Sequence, residues 1–209
     1  IEDWIAPEID NFEINKGVNT LQDQMSCSFK GFVNRLNIQE FNEPQIGLSR
    51  LEQGNLVHKI LESFFNEIST SSILKNLTED KLQDQINKHI GSAIKEISQL
   101  NFKLIEKDRL KQIINEYIKL EKNRKNFQVI KTESESKVDV NGLKFSTRID
   151  RMDQMEDGTK LIIDYKTGQN VNLSQLIGDP LNQAQLPIYA ITNPVDGIAF
   201  ATVNSKDCQ

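Results

Sequence analysis

Two carboxylates and a lysine in the last third of the chain carry its strongest chemical signal. Asp150 stands in Arg148-Ile-Asp-Arg-Met-Asp153, and Asp164 and Lys166 stand in Leu161-Ile-Ile-Asp-Tyr-Lys-Thr-Gly168. Both segments read as β-strands, so Ile162, Asp164 and Lys166, two apart, share one face. Between them Gln154-Met-Glu-Asp-Gly158 is a turn signal. A three-residue loop, Glu156 to Gly158, puts the glycine at the left-handed position that such loops favour. It also sets Asp150 opposite Asp164, on the same side of the sheet. A two-residue loop pairs Arg151 with Asp164 instead and splits the carboxylates across the sheet. Carboxylates so close repel unless a cation lies between them, and hard oxygen donors suit magnesium or manganese. Lys166 is then placed to orient a water or neutralise charge on a phosphate. The chemistry favours the longer loop and reads as metal-assisted phosphodiester hydrolysis. The plainer alternative is a charged strand end, with Asp150 and Arg151 in a surface salt-bridge ladder. Asp-x-Lys is too common to decide between the two alone.

The elements that must position these groups follow from hydrophobic period. Residues 19–34 read as a helix with Leu21, Met25, Phe29, Phe32 and Val33 on one side. Residues 37–50 are loop-like, with Pro44 and Gly47. From Ser49 to Ile68 the stripe Leu56, Ile60, Leu61, Phe64, Phe65, Ile68 is helical. Further helices are expected over 80–100 and 106–124, the latter burying Leu110, Ile113, Ile114, Tyr117 and Leu120. The period then changes. Strands are expected over 127–133 and 135–140, and Asn141-Gly142 is a hairpin signal. Strands over 143–153 and 160–167 complete a meander. A loop with some helical tendency (169–181), a helix (182–190) and a strand (197–203) close the chain. The expectation is an α/β or α+β fold with one central sheet flanked by helices.

With 209 residues the chain can bury one good core. Residues 1–18 read as a linker or the tail of a preceding region. Residues 19–209 read as one domain, with a helical part (19–125) and a sheet part (126–209). Because it opens on Ile1 and stops at Gln209 after an apolar run, the chain reads as a piece of a longer protein. No run of about 18 apolar residues predicts a membrane span. Cys27 and Cys208 lie far apart and form no metal-spaced cluster; they fit a reducing, cytoplasmic compartment without disulfides. The net charge of −5 is awkward for a stand-alone nucleic-acid binder. A neighbouring domain could supply long-range attraction.

Other polar residues add to the constellation. His58 lies off the stripe of its helix, one turn after Gly54, and a small residue there leaves room for backbone or ligand to approach. It reads as a surface residue or a ligand; His89 reads as ordinary. Gln185 and Tyr189 are one helical turn apart, with Pro187 between them set to cap or kink the helix. Tyr189 also fits plain core. Glu133 stands at an expected strand end, where a surface carboxylate is the default.

In order, Gly54-x-x-x-His58, Glu133, Arg148-Ile-Asp150-Arg151-x-Asp153, Asp164-Tyr-Lys-Thr-Gly168 and Gln185-Leu-x-x-Tyr189 resemble the PD-(D/E)XK nuclease superfamily over residues 19–205. The pattern is most similar to the RecB-like branch found in RecB and AddB helicase-nuclease subunits. The resemblance implies a restriction-endonuclease-like mixed sheet built around an antiparallel meander, with an N-terminal helical part. It implies His58, Asp150, Asp164 and the Tyr165 carbonyl as magnesium or manganese ligands, Lys166 as catalytic lysine and Glu133 as a supporting acid. Gln185 and Tyr189 would reach DNA or brace the lysine. The implied activity is a metal-dependent deoxyribonuclease, an exonuclease module of a repair or recombination protein. Its partners would be DNA and a helicase-like region of the same parent or a partner subunit. The competing expectation is an inactive nuclease fold that binds DNA ends or partner subunits. Two departures stand out: Thr147 replaces a frequent glycine, and Ser28 replaces the proline of a Leu…Cys-Pro-Phe helix. Some branches hold an iron–sulfur cluster with four cysteines; with only Cys208 after Cys27, no cluster is expected within these 209 residues. Cys27 is then expected to be a buried apolar residue.

Overall fold

In a computed structural model the described residues are 17–36, 38, 46–97, 100–140, 143–168 and 185–204. Residues 1–16 of the linker expected over 1–18, most of the loop after residue 36, the turn at 141–142, the stretch 169–184 and Cys208 lie outside them; Val18, expected in the linker, opens the first helix. Helices α1 (Val18–Ser26), α2 (Ser28–Arg35), α3 (Arg50–Glu67), α4 (Ser71–Asn76), α5 (Glu79–Ala93) and α6 (Leu100–Asn123) precede the sheet. Strands β1 (Phe127–Val140), β2 (Leu143–Met155) and β3 (Lys160–Lys166) follow, then α7 (Gln185–Thr192) and β4 (Gly197–Thr202). The sheet order is β1-β2-β3-β4, antiparallel up to β3 and parallel between β3 and β4. A parallel pair needs a crossover rather than a hairpin, and α7 lies in that crossover. The expected mixed sheet flanked by helices is therefore the observed architecture.

Helix α3 carries much of the positioning. Its start is fixed by a capping box: the Glu52 N–H donates to Ser49 Oγ at 3.2 Å, and the Ser49 N–H donates to Glu52 Oε2 at 2.7 Å. Val57, Ile60, Leu61, Phe64 and Phe65 are buried along it. Each such side chain contributes roughly 1.5–3 kcal/mol of burial. They join α5, α6 and one sheet face in the larger core, with Ile86, Ile90, Ile113, Ile114, Ile163 and Tyr165. The opposite sheet face packs on α1 and α7 through Ile149, Met152, Ile162, Leu186 and Tyr189.

Several expectations are corrected. The helix expected over 19–34 breaks at Cys27, which is extended (φ −165, ψ 115). Ser26 and Ser28 flank the break, and the Ser26 hydroxyl donates to the Asp23 carbonyl at 3.0 Å, the kind of local bond that competes with helix. Cys27 is consequently exposed, not buried. The same break leaves Phe29 72 % and Phe32 57 % exposed. The helix expected over 80–100 ends at Ala93 in a 3-10 turn, Ile94–Glu96, and Leu100 starts α6 instead. Leu120 faces solvent, and Ile118 takes the expected core place. The two strands expected over 127–140 are one, with a bulge between Val129 and Lys131. The short helix α4 was not foreseen; its sequence signal is Thr70, whose hydroxyl accepts the Ile73 N–H at 3.2 Å.

Candidate metal centre and cleft

The β2–β3 turn decides which groups meet. Gly158 has φ +85, and its N–H donates to Met155 O at 3.0 Å while Met155 N–H donates to Thr159 O at 2.8 Å. This is the three-residue loop, and it sets Arg151 against Ile163, Met152 against Ile162 and Asp153 against Leu161. One step further Asp150 stands opposite Asp164. There the ladder opens, and the Asp150 carboxylate itself accepts the Tyr165 N–H at 2.7 Å.

Helix α3 brings His58 to the same point. Its Nε2 lies 3.1 Å from the Tyr165 carbonyl oxygen. Its Nδ1 lies 3.4 Å from Asp150 Oδ1 and 3.6 Å from Glu133 Oε1. Gly54, one turn earlier, makes this approach feasible, because a Cβ there would sit 3.1 Å from Thr167 Oγ1 at the end of β3. His58, Glu133 and Asp150 each offer a ligand atom, all within 4.8 Å of one another. Asp164 stands beside this triad, with Oδ2 2.6 Å from Lys166 Nζ. Lys166 reaches Gln185 Oε1 at 3.5 Å, Gln185 Nε2 donates to the Tyr189 hydroxyl at 2.8 Å, and that hydroxyl donates to the Arg148 carbonyl. His58, Glu133, Asp150, Asp164, Lys166, Gln185 and Tyr189 line one cleft of about 1520 Å³. One imidazole and several carboxylate oxygens fit a hard divalent cation.

Glu133 is not at a strand end but inside β1, with φ +41. Its side chain is nearly buried and also pairs with Arg148. A non-glycine residue held there is strained. No period or spacing in the sequence announces that strain.

Burial and neighbouring charges shift three groups of the cleft. Burial pushes the Asp164 carboxyl up to about 6, against the pull of Lys166 and with a further push from Asp150. Burial disfavours the charged His58 imidazole, but Asp150 and Glu133 outweigh it and raise His58 to about 10. Burial also raises the Tyr189 hydroxyl to about 12, so it stays a donor.

Sequence reasoning missed what lies behind the sheet. Arg151, next to Asp150 but on the opposite face, is fully buried, so the surface salt-bridge ladder does not exist. It donates to both oxygens of Asp153, at 2.6 and 2.8 Å, and to Glu121 Oε2 at 3.0 Å. Its guanidinium stacks 3.8 Å from the Phe65 ring centroid. Arg124 pairs with both Glu121 and Asp153. The signal available in sequence was the turn count: with a three-residue loop, Arg151 and Asp153, two apart on one face, stand opposite the apolar Ile163 and Leu161, which join the larger core. A second missed neighbour is Phe200, whose ring centroid lies 5.6 Å from Lys166 Nζ. His89 is buried but makes an ordinary contact, Nε2 3.3 Å from Glu67.

A profile describing the PD-(D/E)XK nuclease superfamily matches residues 18–192. A comparison with curated proteins returned no match. Among the described residues no helix is long and apolar enough to cross a membrane.

Proposed function

Because the chain belongs to the PD-(D/E)XK nuclease superfamily, we propose that it hydrolyses DNA phosphodiester bonds with magnesium or manganese. In this reading it is the exonuclease module of a larger, RecB-like repair or recombination protein, working beside a helicase-like region or subunit. The observation that carries it is the convergence of His58, Glu133 and Asp150 within 4.8 Å, beside Asp164 and Lys166 in one cleft.

His58, Asp150, Asp164 and the Tyr165 carbonyl would hold the cation, with Glu133 completing or supporting the set. A divalent cation there supplies charge neutralisation at the scissile phosphate and acidifies a water. Lys166, released from Asp164, orients the attacking water or neutralises a phosphate oxygen. Gln185, at the start of α7, braces Lys166 in the cleft, and Tyr189 ties Gln185 to the backbone of β2.

The test is manganese-dependent degradation of end-labelled linear single- and double-stranded DNA at low salt, with Lys166→Ala beside the wild type. Cleavage that falls by about 10²–10³ in the variant is expected, and the product ladder gives polarity. Equal cleavage by both proteins refutes the assignment of Lys166. Manganese binding without cleavage would favour an inactive module that holds DNA ends or partner subunits.

A further inference from the structure

We propose that Arg151, with Asp153 and Glu121, is a positioning device for the metal centre rather than a source of stability. The inference rests on the nuclease reading above. Arg151 and Asp153 are fully buried and Glu121 is 3 % exposed. Together with Arg124 they set two positive against two negative charges behind the sheet. Desolvating four charges is costly, and well-packed apolar side chains of similar volume commonly serve as well or better for stability. Arg151 Nη1 is buried without a hydrogen bond among the described residues, which adds to that cost. Something other than net stability must account for the arrangement.

The contacts lead to the site by two routes. The first is covalent: Arg151 follows Asp150, so clamping its side chain on Asp153, Glu121 and the Phe65 ring fixes the backbone that aims the Asp150 carboxylate. The second passes through Tyr165. Glu121 Oε1 accepts the Tyr117 hydroxyl at 2.9 Å. The Tyr117 ring meets the Tyr165 ring edge-on at 5.8 Å, and Tyr165 meets His58 edge-on at 5.6 Å. Tyr165 thus stands between the network and the centre: its N–H bonds Asp150, its carbonyl faces His58, and its ring faces Tyr117. A guanidinium held by a two-pronged carboxylate contact has one geometry, whereas an apolar side chain in that place has several rotamers. The network therefore restricts where Asp150, Tyr165 and His58 sit relative to one another.

The experiment compares wild type with Arg151→Met/Asp153→Leu, which removes one charge of each sign and leaves the Arg124–Glu121 pair. Three readings are taken: the denaturation midpoint, amide exchange at Tyr165 without divalent cation, and manganese affinity with kcat and KM for a linear oligonucleotide. The expected result is an unchanged or higher midpoint, faster exchange at Tyr165, and a loss of about 10–100-fold in manganese affinity and kcat with KM little changed. A variant with wild-type exchange and affinity, or one that fails to fold, overturns the proposal. Tyr117→Phe keeps every charge and tests the second route alone: a few-fold weaker manganese affinity supports it, and no change removes it. Wild type that neither binds manganese nor cleaves would sink the nuclease reading itself, whereas active wild type with an equally active variant sinks only this proposal.

Discussion

Glu133 and Asp150 face each other across β1 and β2, and both carboxylates approach Nδ1 of His58, at 3.6 and 3.4 Å. The flanking pairs Thr132–Arg151 and Ser134–Ile149 fix that opposition. Glu133 achieves it with a backbone φ of +41, so the placement of this carboxylate has been favoured over backbone comfort. Two like charges and a strained backbone at one point make sense where a cation completes the set.

Glu133→Gly separates the two roles. Glycine adopts positive φ without the Cβ penalty, which is about 1–2 kcal/mol. Without divalent cation the variant is expected to stay close to wild-type stability, the relieved strain offsetting the lost Arg148 and His58 pairs, while its manganese affinity falls. Urea denaturation and manganese titration read the two effects. A variant destabilised by several kcal/mol would show that the strain is not there to be relieved.

The cation-free protein should lose stability as pH rises through the acid range. Burial pushes the folded Asp164 carboxyl up to about 6, against an ordinary value of 3.8. The folded state therefore holds this proton more tightly than the unfolded chain, and stability declines between about pH 4 and 6 as Asp164 ionises. Asp164→Asn should flatten that slope in denaturation midpoints taken at pH 4.5 and 7. A slope identical to wild type would place its origin elsewhere.

Cation binding should release a proton. His58, raised to about 10 despite its burial, stays protonated at neutral pH in the cation-free protein. Its stabilising effect is complete below about pH 6.5 and fades as pH rises toward 10. A cation that takes this imidazole as ligand must displace the proton, so affinity rises with pH and about one proton leaves per ion. Manganese calorimetry at pH 7.5, in two buffers of different ionisation heat, counts it. His58→Gln should lose that release; retention of it would exclude His58 as the source.

Tyr189→Phe should lower kcat by about tenfold with KM unchanged. The hydroxyl anchors Gln185 to the Arg148 carbonyl, and Gln185 in turn contacts Lys166. Single-turnover cleavage measures the step directly. A change confined to KM would assign Tyr189 to substrate contact instead.

Legibility in the sequence followed the reach of the interactions. Gly158 declares a local backbone need, and from it the β2–β3 register and the Asp150–Asp164 opposition could be counted. Helix α3 was readable because its apolar stripe has a period, and the antiparallel meander because turn signals punctuate it; the parallel partner β4 followed only from the family resemblance. Arg151 was misjudged because a charged side chain reads as exposed until its partners, thirty residues away on α6 at Glu121 and two away at Asp153, are known. Glu133 reads as a strand end because its positive φ is imposed by tertiary contacts, not by its own preference. The break at Cys27 goes with Ser26, whose hydroxyl bond to the Asp23 carbonyl carries little weight in a period count.

The alternation along β2 has a consequence for how this hairpin can change. Arg148 and Asp150 line the cleft, while Arg151 and Asp153 serve the buried ion network behind the sheet. Shifting β2 by one residue would push Asp150 into the apolar interior and turn a guanidinium toward the cleft, so a slipped pairing fails on both faces at once. The parity of the strand thus acts as a check on assembly: near-native registers are penalised twice and only one survives. Insertions in the Glu156–Gly158 turn are tolerable only when the loop absorbs them without passing a single step to β2.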